Sequence, residues 1–204
     1  MSLAACVDDA DNSKPMNVYT TFLDIRVKDS FVVSMTDDCD SSLLFPRGLK
    51  VSKALHHPDT TYRYVMTFGM APGEPISIYS DAPVFTKLPV QPDQAKTTKV
   101  QPLDFVSSWR GDNGKYINLV LGMMVDNSKN EQLLDLVEDS TVVNGHGITH
   151  HYVSLRHDQN GVSEMFTEDL FVSVPISQYG KMDSVTVTIP SYKGLIKKTY
   201  KVGK

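Results

Sequence analysis

The sequence predicts an all-β fold arranged as two successive units. Three observations carry this reading. Apolar side chains recur at every second position through almost the whole chain, the period of a strand with one buried face. No long amphipathic helical pattern interrupts them, and no internal repeat is evident. Clusters of Gly, Pro, Asn and Asp punctuate the apolar runs at strand-length intervals.

In the first unit, Tyr19, Thr21, Leu23, Ile25 and Val27 share one strand face, and Thr20, Asp24 and Arg26 share the other. Residues 31–35 follow directly after Lys28-Asp29-Ser30, so the two runs form a hairpin. Residues 43–45 are a short apolar run closed by Pro46. Tyr62, Tyr64, Met66, Phe68 and Met70 alternate with Arg63, Val65, Thr67 and Gly69 until Ala71-Pro72-Gly73 breaks the strand. Residues 76–79 and 84–88 complete a set of about five strands. From Pro89 to Thr98 the chain is polar, proline-bearing and aperiodic, which places a domain boundary there. The expected division is a leader remnant and tether over residues 1–16, a first domain over 17–96 and a second over 97–204.

In the second unit, residues 101–109 lead to Gly111-Asp112-Asn113-Gly114, a strong turn signal. Ile117, Leu119, Leu121, Met123 and Val125 then line one face, while Val120 and Met124 add apolar bulk to the other. Such a strand is expected to be central and covered on both sides. Residues 131–137 are ambiguous, because Leu133 and Val137 have helical spacing in a short run. Residues 149–156, 170–174, 183–189 and 195–202 are the remaining strands, the last two joined by the turn Pro190-Ser191-Tyr192-Lys193-Gly194. Six or seven short strands with turns between them predict a β-sandwich.

Composition narrows the function. Hydrophobic content of 41% suffices for packed cores, while a net charge of −4, with no basic excess in either half, excludes the field that nucleic acid binding requires. The one basic cluster, Lys193, Lys197, Lys198, Lys201 and Lys204, falls on the C-terminal hairpin and reads as a solvated strand face. No apolar run approaches the roughly 18 residues of a membrane-spanning helix. Two cysteines, Cys6 and Cys39, are too few for a disulfide framework.

His146, His150, His151 and His157 are the first chemical suspects, because zinc takes three or four converging ligands. On a strand, however, His150 and His151 point to opposite faces. No metal site or cofactor is therefore expected. Asp37-Asp38-Cys39-Asp40 is an acidic loop without the spacing or glycine of a calcium loop, and reads as a solvated hairpin tip. Arg110-Gly111-Asp112 spells an adhesion tripeptide, but its glycine and aspartate are the residues a hairpin turn needs. Nucleophile elbows, phosphate loops and poised acid–base pairs are missing from the sequence, so no catalytic residue is assigned. Tyr62, Tyr64 and Phe68 share a face that could stack on sugars, though an aromatic stripe at period two is more often core.

Leu3-Ala4-Ala5-Cys6 resembles a bacterial lipobox, in which the cysteine thiol carries diacylglycerol and the chain is cut just before it. Asp8, Asp9 and Asp11, close behind Cys6, look like the surface-export signals of Bacteroidetes lipoproteins. A secretory signal needs a charged start and an apolar run of roughly 7–15 residues. Only Met1 and Ser2 precede Leu3, so the rest of the signal peptide is expected upstream.

The second half carries Phe105-Val106-Ser107-Ser108-Trp109, Gly111-Asp112, Lys115-Tyr116-Ile117-Asn118-Leu119 and Tyr152-Val153-Ser154-Leu155-Arg156-His157-Asp158, then Asp183-Ser184-Val185-Thr186-Val187 and the lysine-rich hairpin. With these it resembles the C-terminal domain of the NigD-like lipoproteins of Bacteroidetes. The resemblance covers most of the chain after Pro15. It implies an OB-like barrel for the first domain, an antiparallel β-sandwich for the second and an unknown molecular function.

The resulting expectation is a lipoprotein anchored to an outer membrane through Cys6 alone, at the cell surface or in the periplasm. Its expected role is a non-enzymatic binding or assembly module for a protein, peptide or glycan, without nucleic acid. The alternatives are a metal-dependent hydrolase using the four histidines and a structural subunit of a surface fibre.

Overall fold

The computed structural model describes residues 17–50, 59–128 and 130–203. Its strands are β1 (Asn17–Lys28), β2 (Phe31–Asp37), β3 (Thr60–Met70), β4 (Ser77–Pro83), β5 (Phe85–Thr86), β6 (Asp104–Arg110), β7 (Tyr116–Val125), β8 (Leu133–Val143), β9 (Thr149–Asp158), β10 (Phe166–Pro175), β11 (Ser184–Ser191) and β12 (Gly194–Lys201). A single 3-10 turn lies at Pro92–Gln94. The all-β class therefore holds, and the ambiguous run around Leu133 is a strand, paired along its length with β9.

Three four-stranded sheets form, in the orders β2-β1-β3-β4, β5-β10-β7-β6 and β12-β11-β9-β8. In the first, β1 lies between β2 and β3, and β3 also pairs with β4. Its β1–β2 hairpin closes through Asp29 and Ser30, both at positive φ, as a two-residue turn matched to strand twist requires. Its inner face carries Leu23, Ile25, Met35, Tyr64, Met66 and Phe68, covered by Leu43, Phe45, Leu49 and Ile76 from the loops. Among the described residues this sheet stays open, so the barrel implied for the first domain is not closed. The reason is visible at β5. The segment expected as the last strand of the first domain leaves β4 and pairs Phe85 and Thr86 in parallel with Val172 and Ser173 of β10.

The second and third sheets face each other across a core of Ile117, Leu119, Leu121, Val153, Leu155, Val172, Val174, Val185, Val187 and Ile189. This is the predicted sandwich. It is mixed rather than purely antiparallel, because β11 also pairs in parallel with β9. Residues 87–103, which contain the stretch Pro89–Thr98 read from sequence as a polar break, strap the sandwich. Val90 bridges Val137 and Val100 bridges His157. Asp135, its side chain fully buried, accepts hydrogen bonds from Lys87 Nζ at 2.6 Å and from the Lys96 N–H at 2.8 Å. Burial alone would raise this carboxyl; the Lys87 ammonium and the N–H groups of Lys96 and Leu136 outweigh it and hold it below its ordinary value.

The outer face of the first sheet packs on the outer face of the second. Phe22, Val65 and Val84 meet Val120 and Phe171, and Phe22 stands edge-on to Trp109 and Phe171. β7 is therefore central and covered on both sides, as its two apolar faces predict. At the heart of this seam lies Arg63, 6% exposed. Its Nε donates to Ser173 Oγ at 2.7 Å, Nη1 to Asp24 at 2.9 Å, and Nη2 to Asp38 at 2.7 Å and to Asn118 Oδ1 at 3.0 Å. The guanidinium lies 3.8 Å from the centre of the Tyr116 ring. Each buried core side chain contributes about 1.5–3 kcal/mol over exposure, so the two cores supply most of the stability. The seam supplies the relative placement of the sheets.

The acidic loop completes the lock. It is not a solvated tip: Asp38 is buried against Arg63 and Asn118, and its carbonyl accepts the Asn113 N–H at 2.6 Å. Asp37 Oδ1 holds the turn by accepting the Cys39 and Ser41 N–H groups. Gly111 fits here because a Cβ would come within 3.0 Å of the Asp38 carboxyl.

Two outcomes follow for stability. Arg63→Met strands the Asp24 and Asp38 carboxylates, 16% and 12% exposed, and is expected to lower the unfolding free energy by about 3–5 kcal/mol. Asp135→Asn is expected to cost less, about 2–3 kcal/mol, because Lys87 can rehydrate. The Asp135 contribution belongs to a depressed carboxyl. It is complete above the unfolded pKa of about 4 and fades as pH falls through the lower folded value. Urea unfolding of wild type and Asp135→Asn should therefore show a gap that is constant at neutral pH and narrows in acid.

Candidate functional site

A cavity of about 260 Å³ opens beside the seam where β4 ends and the chain turns into β5. It is lined by Asp24, Thr61, Tyr62, Arg63, Thr86 and Tyr116. The strand pairing builds it: Tyr64 is opposite Pro83, after which β3 loses its β4 partner, and only the Val84 N–H still reaches the Arg63 carbonyl. Burial, then the Asp24 carboxylate, push the Tyr116 phenol above its ordinary value. The wall thus offers hydroxyls, one carboxylate and a guanidinium whose charge is already balanced by Asp24 and Asp38. Such a lining suits a neutral, hydroxyl-rich group better than an ion.

The sequence placed Tyr62, Tyr64 and Phe68 as a possible stacking face. Tyr64 and Phe68 are each 2% exposed and belong to the inner core of the first sheet. Tyr62 is half-buried and lines the seam cavity with Tyr64. Cys6 lies outside the described residues. Arg63, Asn118 and Ser173 were missed as site residues. The available signal was the second apolar face of β7, which demanded a partner sheet and therefore a buried role for the polar residues on that face.

The histidines do not converge. His150 turns to the outer face of the third sheet, bonded to Ser184 Oγ at 2.6 Å and Thr186 Oγ1 at 2.8 Å. His151 turns inward beside the core, with Nδ1 2.7 Å from Glu138 and Nε2 3.5 Å from Asp183. Its ring stacks on Tyr179 with centres 3.9 Å apart. His157 lies between the Gln101 carbonyl, 3.1 Å, and Gln132 Oε1, 2.6 Å. His146 is on the exposed turn after β8. Among the described residues no three His, Cys, Asp or Glu side chains are grouped to hold a metal ion. Asp183 is held below its ordinary value by the Thr149 N–H and, against partial burial, by the Gly180 N–H and His151. Burial, then Glu138, push the Tyr179 phenol well above its own.

The adhesion tripeptide is structural on two of its three positions. Arg110 Nε donates to the Val202 carbonyl at 3.1 Å, and Gly111 is buried against Asp38. In the acidic loop, Asp40 pairs with Lys115 at 2.9 Å. Cys39 is an exposed free thiol 3.5 Å from Asp112, and that contact, ahead of burial, raises its pKa. On the basic hairpin, Lys198 sits over the Phe105 ring at 5.4 Å.

Comparison with known proteins matches this architecture. A NigD-like immunity protein from Bacteroides caccae is similar in fold, with TM-score 0.65 and 22% identity over 93% of this chain and 99% of that one. A protein of unknown function from Bacteroides vulgatus gives TM-score 0.63 and 15% identity, covering 91% of this chain and 90% of that chain. A candidate lipoprotein from Bacteroides fragilis gives 0.61 and 15%, over 91% and 97%. These are likenesses of fold. No curated protein matches the sequence. The NigD-like C-terminal beta sandwich domain matches residues 86–202, starting inside β5, where the chain joins the second sheet. That segment is more than half of the sequence, and the chain belongs to the NigD-like family.

Proposed function

We propose that this protein is a non-enzymatic binding or assembly module of the bacterial envelope. It is held at an outer membrane by a lipid on Cys6, facing the cell surface or the periplasm, and meets a protein, peptide or glycan. One observation carries the non-enzymatic half. Arg63, Asp38 and Asp24 in the seam, Asp135 against the strap, and His150, His151 and His157 on β9 are all engaged inside the fold. The lipobox-like start supports the anchor, in accord with the name of the similar Bacteroides fragilis protein. Each buried lipid CH₂ contributes about 0.8 kcal/mol, so two or three acyl chains hold firmly where one would not.

Two measurements test this. Mass spectrometry of protein taken from its native membranes is expected to find Cys6 as an acylated first residue; a mature chain with a bare Cys6 thiol contradicts the anchor. Metal analysis of purified protein is expected to find no stoichiometric zinc. One zinc per chain, lost in His151→Ala, would instead favour the metal-dependent hydrolase.

A further inference from the structure

A second cavity, of about 610 Å³, lies at the end of the sandwich remote from the strap residues. Three segments build it: the turn between β6 and β7, the loop after β10, and the chain leaving β12. Backbone bonds fix all three. The Gly114 N–H reaches the Gly111 carbonyl, with Gly114 at φ +70, and the Ile176 N–H reaches Lys115. The Gly203 N–H reaches the Lys181 carbonyl. The volume falls within the range of small-molecule sites, about 300–1,000 Å³.

What distinguishes this cavity is an excess of hydrogen-bond donors. Arg110 lines it, and among the described residues its guanidinium gives only Nε to protein, to the Val202 carbonyl. No carboxylate among the described residues pairs with Arg110 or with the exposed Lys181, which also lines the cavity. Asn113 shapes the wall. Its Oδ1 accepts the Lys115 N–H at 3.0 Å, which fixes the orientation of the amide. Its Nδ2 is buried without a partner among the described residues. Lys115 stands alongside, paired to Asp40, and Asp112 is the one carboxylate among the described residues of the wall. Tyr179, Met182 and Val202 supply apolar surface.

We infer that this cavity is a binding site for a small organic anion, a carboxylate- or phosphate-bearing ligand. Arg110 and Lys181 take the charged oxygens, and Tyr179 and Met182 cover the carbon skeleton. A guanidinium with free terminal nitrogens suits a two-oxygen acceptor, which it can bind through parallel bonds. The inference deepens the binding-module reading by naming a ligand class, and it is independent of Cys6.

The test is calorimetric titration of the whole protein with inorganic phosphate and, separately, with succinate, using the neutral succinamide as control. Saturable binding of at least one anion is expected, weakening as salt is added. A response to phosphate alone or to succinate alone assigns the headgroup. Lys181→Gln and Arg110→Gln are each expected to weaken binding about tenfold or more. Lys181 is exposed, so Lys181→Gln should leave the unfolding midpoint unchanged, which separates lost binding from lost fold. The inference is overturned if neither anion binds saturably, or if either Lys181→Gln or Arg110→Gln binds as tightly as the wild type. Failure with both anions leaves the non-enzymatic reading intact, whereas a zinc-dependent activity would remove that reading without touching the anion result.

Discussion

A single buried guanidinium sets the geometry of this protein. Two sheets with apolar faces could stack in many relative positions, since hydrophobic burial has no direction. Arg63 removes that freedom. Its planar fork needs Asp24 from its own sheet, Asp38 from the loop after β2, and Asn118 and Ser173 from the second sheet. Those four groups can be met at once in one arrangement only. Burying a charge is expensive unless every donor finds an acceptor, so slippage of one sheet over the other would expose an uncompensated ion. Phe22, Trp109 and Phe171 then fill the space around the polar centre.

The same constraint explains features that look unrelated in sequence. The acidic loop is ordered against the hairpin because Asp38 is committed to Arg63. Gly111 leaves room for that carboxyl, and Asp37 shapes the turn that delivers it. The second cavity inherits its wall from this hairpin, so its Arg110, Asn113 and Lys115 are positioned by contacts that begin at the seam.

Much of the fold was legible because strand periodicity is local. The faces of β1, β3, β7 and β11, the two hairpins and the opposed directions of His150 and His151 all follow from alternation alone. Features depending on distant pairing were hidden. Residues 89–98 lack any period, so they read as a break, yet isolated bridges and the Asp135 carboxylate pin this stretch to the sandwich. Residues 131–137 were ambiguous until β9 supplied a partner. The open first sheet follows from the parallel contact of Phe85 and Thr86 with β10, which no local pattern announces. The functional groups were harder still. A buried arginine between two tyrosines is indistinguishable in sequence from a solvated one, and whether Arg110 meets a carboxylate is decided only in three dimensions.

The central claim is that the seam makes three sheets one cooperative body. Trp109 is the sole tryptophan and stands in that seam, so its fluorescence reports the contact, while far-UV circular dichroism reports all strands. Equilibrium unfolding followed by both probes is the direct test. The account predicts coincident transitions in the wild type and separated ones in Arg63→Met, with the tryptophan signal changing first. Coincident transitions in Arg63→Met at the wild-type midpoint would contradict it.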